Sequence, residues 1–90
     1  MKVKKGFRLR TICGENVIVA EGLENIDFSK IISLNESAAY LWRKAEELPT
    51  FTADDLKGWL LDEYEVDEAT AQADAQTVAT QWLEAGITEP

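Results

Sequence analysis

Residues 31–42 read Ile31-Ile32-Ser33-Leu34-Asn35-Glu36-Ser37-Ala38-Ala39-Tyr40-Leu41-Trp42, and this stretch decides the fold of the chain. Apolar Ile32 and Leu34 alternate with polar neighbours, which predicts a short, half-buried strand. Asn35 follows directly and carries the side-chain oxygen of a helix N-cap. Behind it, apolar residues recur at the spacing of one helix face: Ala38, Leu41, Trp42 and Ala45. The chain is therefore predicted to pass from sheet to helix with almost no loop, so that both elements share one core.

Two more strands are predicted before this junction. Apolar residues alternate with Arg8 and Arg10 over residues 7–11, and residues 17–20 are mostly β-branched. Residues 13–16 form a turn around Gly14, so the two strands are expected to pair as a hairpin. With a third strand over residues 29–34, the sheet is predicted to be three-stranded and antiparallel.

Three helices are predicted after the sheet. The first covers about residues 36–47, the second begins at the N-cap Thr52, and the third extends from the N-cap Asp67 to a left-handed Gly86. Each helix carries one tryptophan, and Trp42 and Trp59 are expected in the core. The predicted fold is α+β and winged helix-turn-helix-like, a three-stranded antiparallel sheet followed by three helices, in a single domain over residues 1–90.

Charge is distributed unevenly along the 90 residues. Residues 1–10 hold five basic residues and no acidic one, whereas the other eighty hold four basic and seventeen acidic residues, a net charge of −13. The basic start is expected to be solvated and partly frayed. No apolar run reaches the roughly 20 residues that cross a bilayer, and no signal peptide is evident, so we expect no membrane association and a cytoplasmic location.

Catalytic chemistry is poorly supported by the composition. The chain has no histidine and a single cysteine, Cys13, which has no evident base beside it and excludes an internal disulfide. Pairs of acidic residues lie near predicted helix ends, where they complement the helix dipole. We therefore expect no enzymatic activity, no metal site and no cofactor.

Two binding modes remain open from the residues alone. A winged helix-turn-helix fold usually reads DNA with the second helix of the pair, here residues 67–85, but this segment has four acidic residues and no Lys or Arg. We therefore expect no nucleic-acid partner. The alternative is the third strand, whose edge is either free to pair with an extended peptide along residues 30–33 or covered by the protein itself. The same edge also suits an adaptor for a folded partner.

The junction motif Leu34-Asn35-x-x-Ala38-Ala39-x-Leu41-Trp42 resembles the signature of PqqD-like proteins, named after coenzyme PQQ synthesis protein D. Further similarity is found at Asp74, Ala75, Val78, Ala79, Trp82 and Gly86-Ile87, and in the helix that begins at Thr52. The chain departs from the family at residues 48–51, where members commonly have Asp-Gly.

The resemblance implies a non-catalytic module that binds the leader segment of a ribosomally made precursor peptide and presents it to a modifying enzyme, commonly a radical-SAM protein. It does not imply PQQ synthesis itself. In the family, the peptide adds as a strand beside the third strand and packs on the third helix. Carried over to this sequence, the implied peptide-binding residues are Lys30, Ile31, Ile32, Ser33, Ala71, Asp74, Ala75, Val78 and Trp82.

Overall fold

The structure is a computed structural model, and it describes residues 1–20 and 32–90. Within these residues, five strands and three helices follow one another along the chain. They are β1 (Lys2–Val3), β2 (Phe7–Ile12), β3 (Glu15–Ala20), β4 (Ile32–Leu34), α1 (Glu36–Glu46), α2 (Ala53–Glu63), α3 (Glu68–Ala85) and β5 (Thr88–Glu89).

The main sheet has the strand order β2-β3-β4, with both pairs antiparallel, as predicted. A two-residue turn joins β2 to β3, and its residues Cys13 and Gly14 have φ angles of 52° and 80°. Positive φ at both positions matches the right-handed twist of the flanking strands, which is why such turns are favoured in hairpins. β4 begins at Ile32 in the described residues; the predicted start of this strand, residues 29–31, lies outside them.

The helix starts are confirmed by their capping hydrogen bonds. Asn35 Oδ1 accepts from the Ala38 amide at 2.8 Å, so α1 begins directly after β4. Thr52 and Asp55 form a reciprocal capping box at the start of α2, with distances of 3.2 and 2.8 Å. Each cap satisfies amides that have no partner inside the helix, and this explains why the helices begin at these residues.

The core is built around the aromatic side chains of the helices and their connections. Trp42 is fully buried on α1 and meets Trp82 of α3 edge to face, with 5.2 Å between ring centroids. Phe51 packs against Trp82 from the α1–α2 connection, at 6.1 Å. The expectation that Trp42 lies in the core is therefore confirmed, whereas Trp59 is only partly buried at its margin.

The N-terminal segment is ordered by pairing, and the expectation of a frayed start is wrong. β1 pairs antiparallel with β5, so that Lys2 lies opposite Glu89. The Lys4 amide donates to the Ile87 carbonyl at 3.0 Å. Met1 and Phe51 exchange two backbone hydrogen bonds, of 2.8 and 2.7 Å. These bonds fasten the basic segment to both the chain's last strand and the α1–α2 connection.

Two glycines give opposite predictions for stability. Gly86 ends α3 with φ of 76°, a conformation that costs a side-chain-bearing residue about 1 to 2 kcal/mol. Gly58 lies inside α2, and apart from its chain neighbours and the backbone of its own helix no heavy atom lies within 4 Å of the place where a Cβ would sit. We expect Gly86→Ala to destabilise the fold by about 1 to 2 kcal/mol and Gly58→Ala to stabilise it by about 0.4 to 1 kcal/mol.

Urea unfolding of the two variants and the parent protein measures both effects. The pair is matched, because each change adds one methyl group to a glycine at a different backbone conformation. Equal shifts of the unfolding midpoint in the same direction would contradict the assignment of a left-handed helix end at Gly86.

Candidate functional site

A groove of about 370 Å³ lies between β4 and α3 and is called here the strand–helix groove. Side chains from β4 and all three helices line it. They are Ile32, Ser33, Leu34, Asn35, Ser37, Ala38, Leu41, Leu60, Asp74, Thr77, Val78, Gln81, Trp82 and Ala85.

One wall of the groove is the edge of the sheet. In the order β2-β3-β4, β4 is hydrogen-bonded to β3 on one side, and no described strand pairs with its other side. An edge strand presents unpaired backbone amides and carbonyls that are able to hydrogen-bond a further strand. The wall is short, because the described part of β4 has three residues.

The opposite wall is one face of α3. Asp74, Val78 and Trp82 succeed one another at a spacing of four residues, and intervening positions of the same face complete the wall. These are Thr77, Gln81 and Ala85. Residues three and four apart share a helix face, so this surface follows directly from the periodicity of α3. Trp82 is 2% exposed, so it belongs both to the core and to the base of the groove.

The structure brings together five of the nine sequence-predicted site residues in this groove: Ile32, Ser33, Asp74, Val78 and Trp82. Ala71 and Ala75 do not line it; both are buried in the core, on the adjacent stripe of α3. Lys30 and Ile31 lie outside the described residues.

Sequence reasoning missed several of the groove's lining residues. Thr77, Gln81 and Ala85 lie three or four residues from positions already selected on α3, so a helical projection centred on Val78 would have found them. Asn35 and Ser37 were treated only as the start of α1, yet they line the groove as well. Ser37 Oγ donates to Asn35 Oδ1 at 3.0 Å, which ties the mouth of the groove to the helix cap.

A second cavity, of about 430 Å³, adjoins the strand–helix groove and is called here the side pocket. It shares Asn35, Ser37, Leu60 and Asp74 with the groove. It adds Glu36 and, from the end of α2 and the α2–α3 connection, Tyr64 and Val66. Tyr64 is held by an edge-to-face contact with Tyr40, at 6.1 Å between ring centroids. The two cavities together form a longer, mainly apolar channel beside β4 and α3.

The electrostatic character of the site is weakly acidic. Asp74 is exposed and is the single charged side chain among the described lining residues of the strand–helix groove; Glu36 adds a second carboxylate at the side pocket. Hydroxyl and amide side chains supply the remaining polar groups. Among the described residues, no group of three or more His, Cys, Asp or Glu is placed to hold a metal ion. The site offers apolar contacts, backbone hydrogen bonds and one negative charge at its mouth.

The start of α3 is anchored by two charged contacts that hold this wall in place. Asp67 Oδ1 accepts from the Thr70 amide at 2.7 Å, and hydrogen bonds with Thr70 lower the pKa of the Asp67 carboxyl. Lys57 of α2 donates to Glu68 at 2.9 Å, and this hydrogen bond together with the lysine charge lowers the pKa of Glu68. Both carboxyl groups are fully exposed, so solvent screens these contacts.

The fold and the groove belong to a recognised family. A family model described as Coenzyme PQQ synthesis protein D (PqqD) matches residues 15–87. The chain belongs to the PqqD family. The match spans β3, β4 and all three helices, so it includes every described residue of the strand–helix groove, and it confirms the resemblance drawn from the junction motif.

Two solved structures share the fold of this PqqD-family chain. One is TbiB1 in complex with the TbiA(beta) leader peptide, with a TM-score of 0.73 and 18% identity over 99% of this chain and 95% of that one. The other is lasso peptide synthetase B1 complexed with the leader peptide, with a TM-score of 0.71 and 19% identity over 99% of this chain and 96% of that one. A comparison with curated protein sequences found no match. In the described part of the chain, no helix has the length and apolar character needed to span a membrane.

The lowered pKa values of Asp67 and Glu68 predict how acid affects the α3 wall. A carboxyl whose pKa is depressed by folding stabilises the fold above its unfolded pKa, and this contribution is lost as the pH falls through the folded value. We expect the stability advantage of the parent protein over Asp67→Asn to shrink as the pH falls below about 4, where unfolded carboxyl groups titrate. Asparagine keeps an acceptor oxygen for Thr70 at every pH.

Urea unfolding of both proteins at a series of pH values between neutral and strongly acidic measures this difference. A difference in free energy of unfolding that does not change with pH would show that the Asp67 carboxylate charge does not contribute to the helix cap.

Proposed function

We propose that this PqqD-family protein is a non-catalytic module that captures the leader segment of a ribosomally made precursor peptide and presents it to a modifying enzyme. The peptide adds as an extended strand at the edge of β4 and packs its side chains against α3. The residues proposed to contact it are seven of those predicted from the sequence: Lys30, Ile31, Ile32, Ser33, Asp74, Val78 and Trp82. Ala71 and Ala75 were predicted as well, but both are buried in the core.

The observation that carries this proposal is the open channel at the sheet edge. β4 has no described neighbour on its outer side, and the space beside it is bounded by a face of α3 that carries both apolar and polar side chains. Main-chain hydrogen bonds from an edge strand give affinity to an added peptide, and pockets for alternate side chains give specificity. Two proteins of the same fold were solved with leader peptides, which supports the same class of ligand here.

The lining of the channel indicates what the peptide looks like. Every second side chain of the peptide faces Leu34, Val78 and Trp82 of the channel lining. Apolar peptide residues are therefore favoured at these alternate positions. The side pocket beside Tyr64 accepts a further apolar or aromatic side chain past the end of the strand. Asp74 favours a basic or hydrogen-bond-donating group of the peptide at the mouth.

The modifying enzyme is proposed to be a radical-SAM protein, and the complex to form in the cytoplasm. The enzyme proposal rests on the family resemblance, and the location is the one expected from the sequence. The domain itself is proposed to work without catalysis or cofactor, since its proposed task is to hold and orient an extended segment. A gene for a short precursor peptide next to that of this chain would identify the ligand to test.

The DNA-binding alternative gains nothing from the structure. α3, which would occupy the DNA groove, has no Lys or Arg, and its first turn is capped and flanked by Asp67 and Glu68. Its exposed surface includes Asp74 and Glu84 as well. Because affinity for DNA comes mainly from neutralising phosphates, such a helix is repelled by the duplex.

A charge-matched pair of α3 variants tests the site. Val78 is half-buried and lines the strand–helix groove, whereas Thr80 is exposed and does not line it. We expect Val78→Lys to weaken binding of the leader at least tenfold, about 1.4 kcal/mol, because a long charged side chain fills apolar space. Thr80→Lys adds the same charge to the same helix and is expected to change the affinity less than twofold.

Calorimetric titration of the leader segment into each variant gives the affinities, and circular dichroism verifies that both variants fold. Equal weakening by the two lysines would assign the effect to charge and place the peptide elsewhere. Unchanged binding in both variants would contradict the proposed groove.

A second prediction follows from strand addition itself. In an antiparallel or parallel pair, consecutive residues of the added strand direct their amides alternately toward and away from the neighbouring strand. N-methylation of single leader residues is therefore expected to abolish binding at every second position of the bound segment and to be tolerated at the positions between.

Competition of N-methylated leader peptides against a fluorescently labelled parent leader measures this pattern. Loss of binding at every internal position would indicate that the peptide binds as a helix, in which each interior amide donates a hydrogen bond, and strand addition at β4 would then be wrong.

A further inference from the structure

A second large groove lies on the opposite side of the sheet and is called here the basic groove. Its volume is about 1250 Å³. One wall is the N-terminal segment, which includes the start of β2, and the other is formed by the end of α1 and the residues after it. Four of its lining residues are basic: Lys2, Lys4, Lys5 and Arg8. Its apolar lining comes from Val3, Phe7, Leu48 and Pro49, and two acidic residues, Glu46 and Glu89, complete it.

The basic groove is separate from the proposed peptide site. It has no lining residue in common with the strand–helix groove or the side pocket. β2 and β4 are the two edges of the main sheet, and each groove lies at one of these edges. Both grooves are therefore free to be occupied at the same time.

The positive charges of the basic groove are held by the fold. β1 is paired with β5, and the Lys4 amide donates to the Ile87 carbonyl. These backbone hydrogen bonds hold the segment that carries Lys2 and Lys4 in place. A charged surface that is already ordered loses less conformational entropy on binding than a flexible tail does. Lys2 is paired with Glu89 at 3.3 Å, which leaves Lys4 and Lys5 as the charges best placed for a ligand.

The charge distribution indicates the chemistry of that ligand. Residues 1–10 carry five basic residues on a protein whose other eighty residues have a net charge of −13, so this is the surface that attracts an acidic group. Leu48 is 42% exposed beside it, which adds apolar area for contact. A ligand with both carboxylates and apolar side chains complements this combination, and such a ligand is a segment of protein.

Polyanions fit the basic groove less well. Glu46 and Glu89 within its lining and the acidic remainder of the protein repel the continuous charge of a nucleic acid or an anionic bilayer. A protein segment carries fewer charges, spaced among apolar residues, and meets less of this repulsion. Complementary charge at an interface steers association and selects the partner, which suits a site for one acidic protein surface.

We propose that the basic groove is a docking surface for an acidic, partly apolar segment of a partner protein. The proposal is independent of the peptide-binding function, because it rests on residues that the strand–helix groove does not use. It gives the protein two non-overlapping surfaces, which is what a module that brings one molecule to another requires.

Selection from a random dodecapeptide library displayed on phage tests this proposal with the whole chain as bait. Peptides that combine Asp or Glu with large apolar residues are expected to be enriched. Synthetic copies are expected to lose at least tenfold in affinity for the Lys4→Glu/Lys5→Glu variant, and to bind more weakly as salt is raised.

The matched control is Arg43→Glu/Lys44→Glu, which makes the same change in net charge at exposed positions of α1. The selected peptides are expected to bind this control and the Val78→Lys variant within twofold of the parent. The milder Lys4→Ala/Lys5→Ala variant is expected to lose less affinity for the same peptides. It serves as a second test in case the charge-reversed variant does not fold.

Three results would overturn the proposal. The first is a selection without enrichment of acidic residues, and the second is equal loss of affinity in the two charge-reversed variants. The third is tighter, Lys4- and Lys5-dependent binding of a DNA duplex or of phosphatidylserine vesicles, which would assign the basic groove to that class of ligand.

Discussion

The edge-to-face contact between Trp42 and Trp82 is the interaction on which the rest of the molecule depends. Trp42 extends from the helix that begins at the sheet edge, and Trp82 belongs to the helix that forms the other wall of the strand–helix groove. Aromatic pairs in this geometry add to the stabilisation from buried area, and their preferred orientation restricts how two helices pack. The contact therefore sets the distance between β4 and α3, and with it the width of the groove.

The direct passage from β4 to α1 supports this arrangement. Asn35 ends the strand and caps the helix through one side-chain oxygen, so this cap is the single residue between β4 and α1. The Trp42 indole nitrogen donates to Glu46 at 2.6 Å, which satisfies its polar group while the ring stays buried. The tight junction therefore brings β4 and α1 together without leaving the polar group of the buried Trp42 unpaired.

The two ends of the main sheet have different chemistry for a physical reason. The strand–helix groove has a mixed apolar and polar lining with one carboxylate, and the basic groove carries the lysines of the N-terminal segment. Pairing of β1 with β5 keeps those positive charges at the β2 edge, away from Asp74. A protein with this separation of charge presents two surfaces that favour different ligands, and each is held by backbone hydrogen bonds.

The sequence alone was sufficient to predict the elements whose boundaries are set by nearby residues. Asn35, Thr52 and Asp67 are side chains that compete for free helix amides, so the helix starts were predictable, and the β2–β3 hairpin followed from alternation around Gly14. The position of the third strand at the end of a three-stranded sheet was predicted as well, and no described strand pairs with its outer edge.

Only the tertiary structure decided the remaining features. β1 and β5 have two residues each, which is too few for a periodic pattern. Their pairing joins opposite ends of the chain, so nearby residues could not predict it. The division of α3 into a core stripe with Ala71 and a groove stripe with Val78 depends on where α2 packs, since small side chains suit either environment. Local propensity determines where an element begins; which of its faces is buried is determined by the partners that the whole chain brings to it.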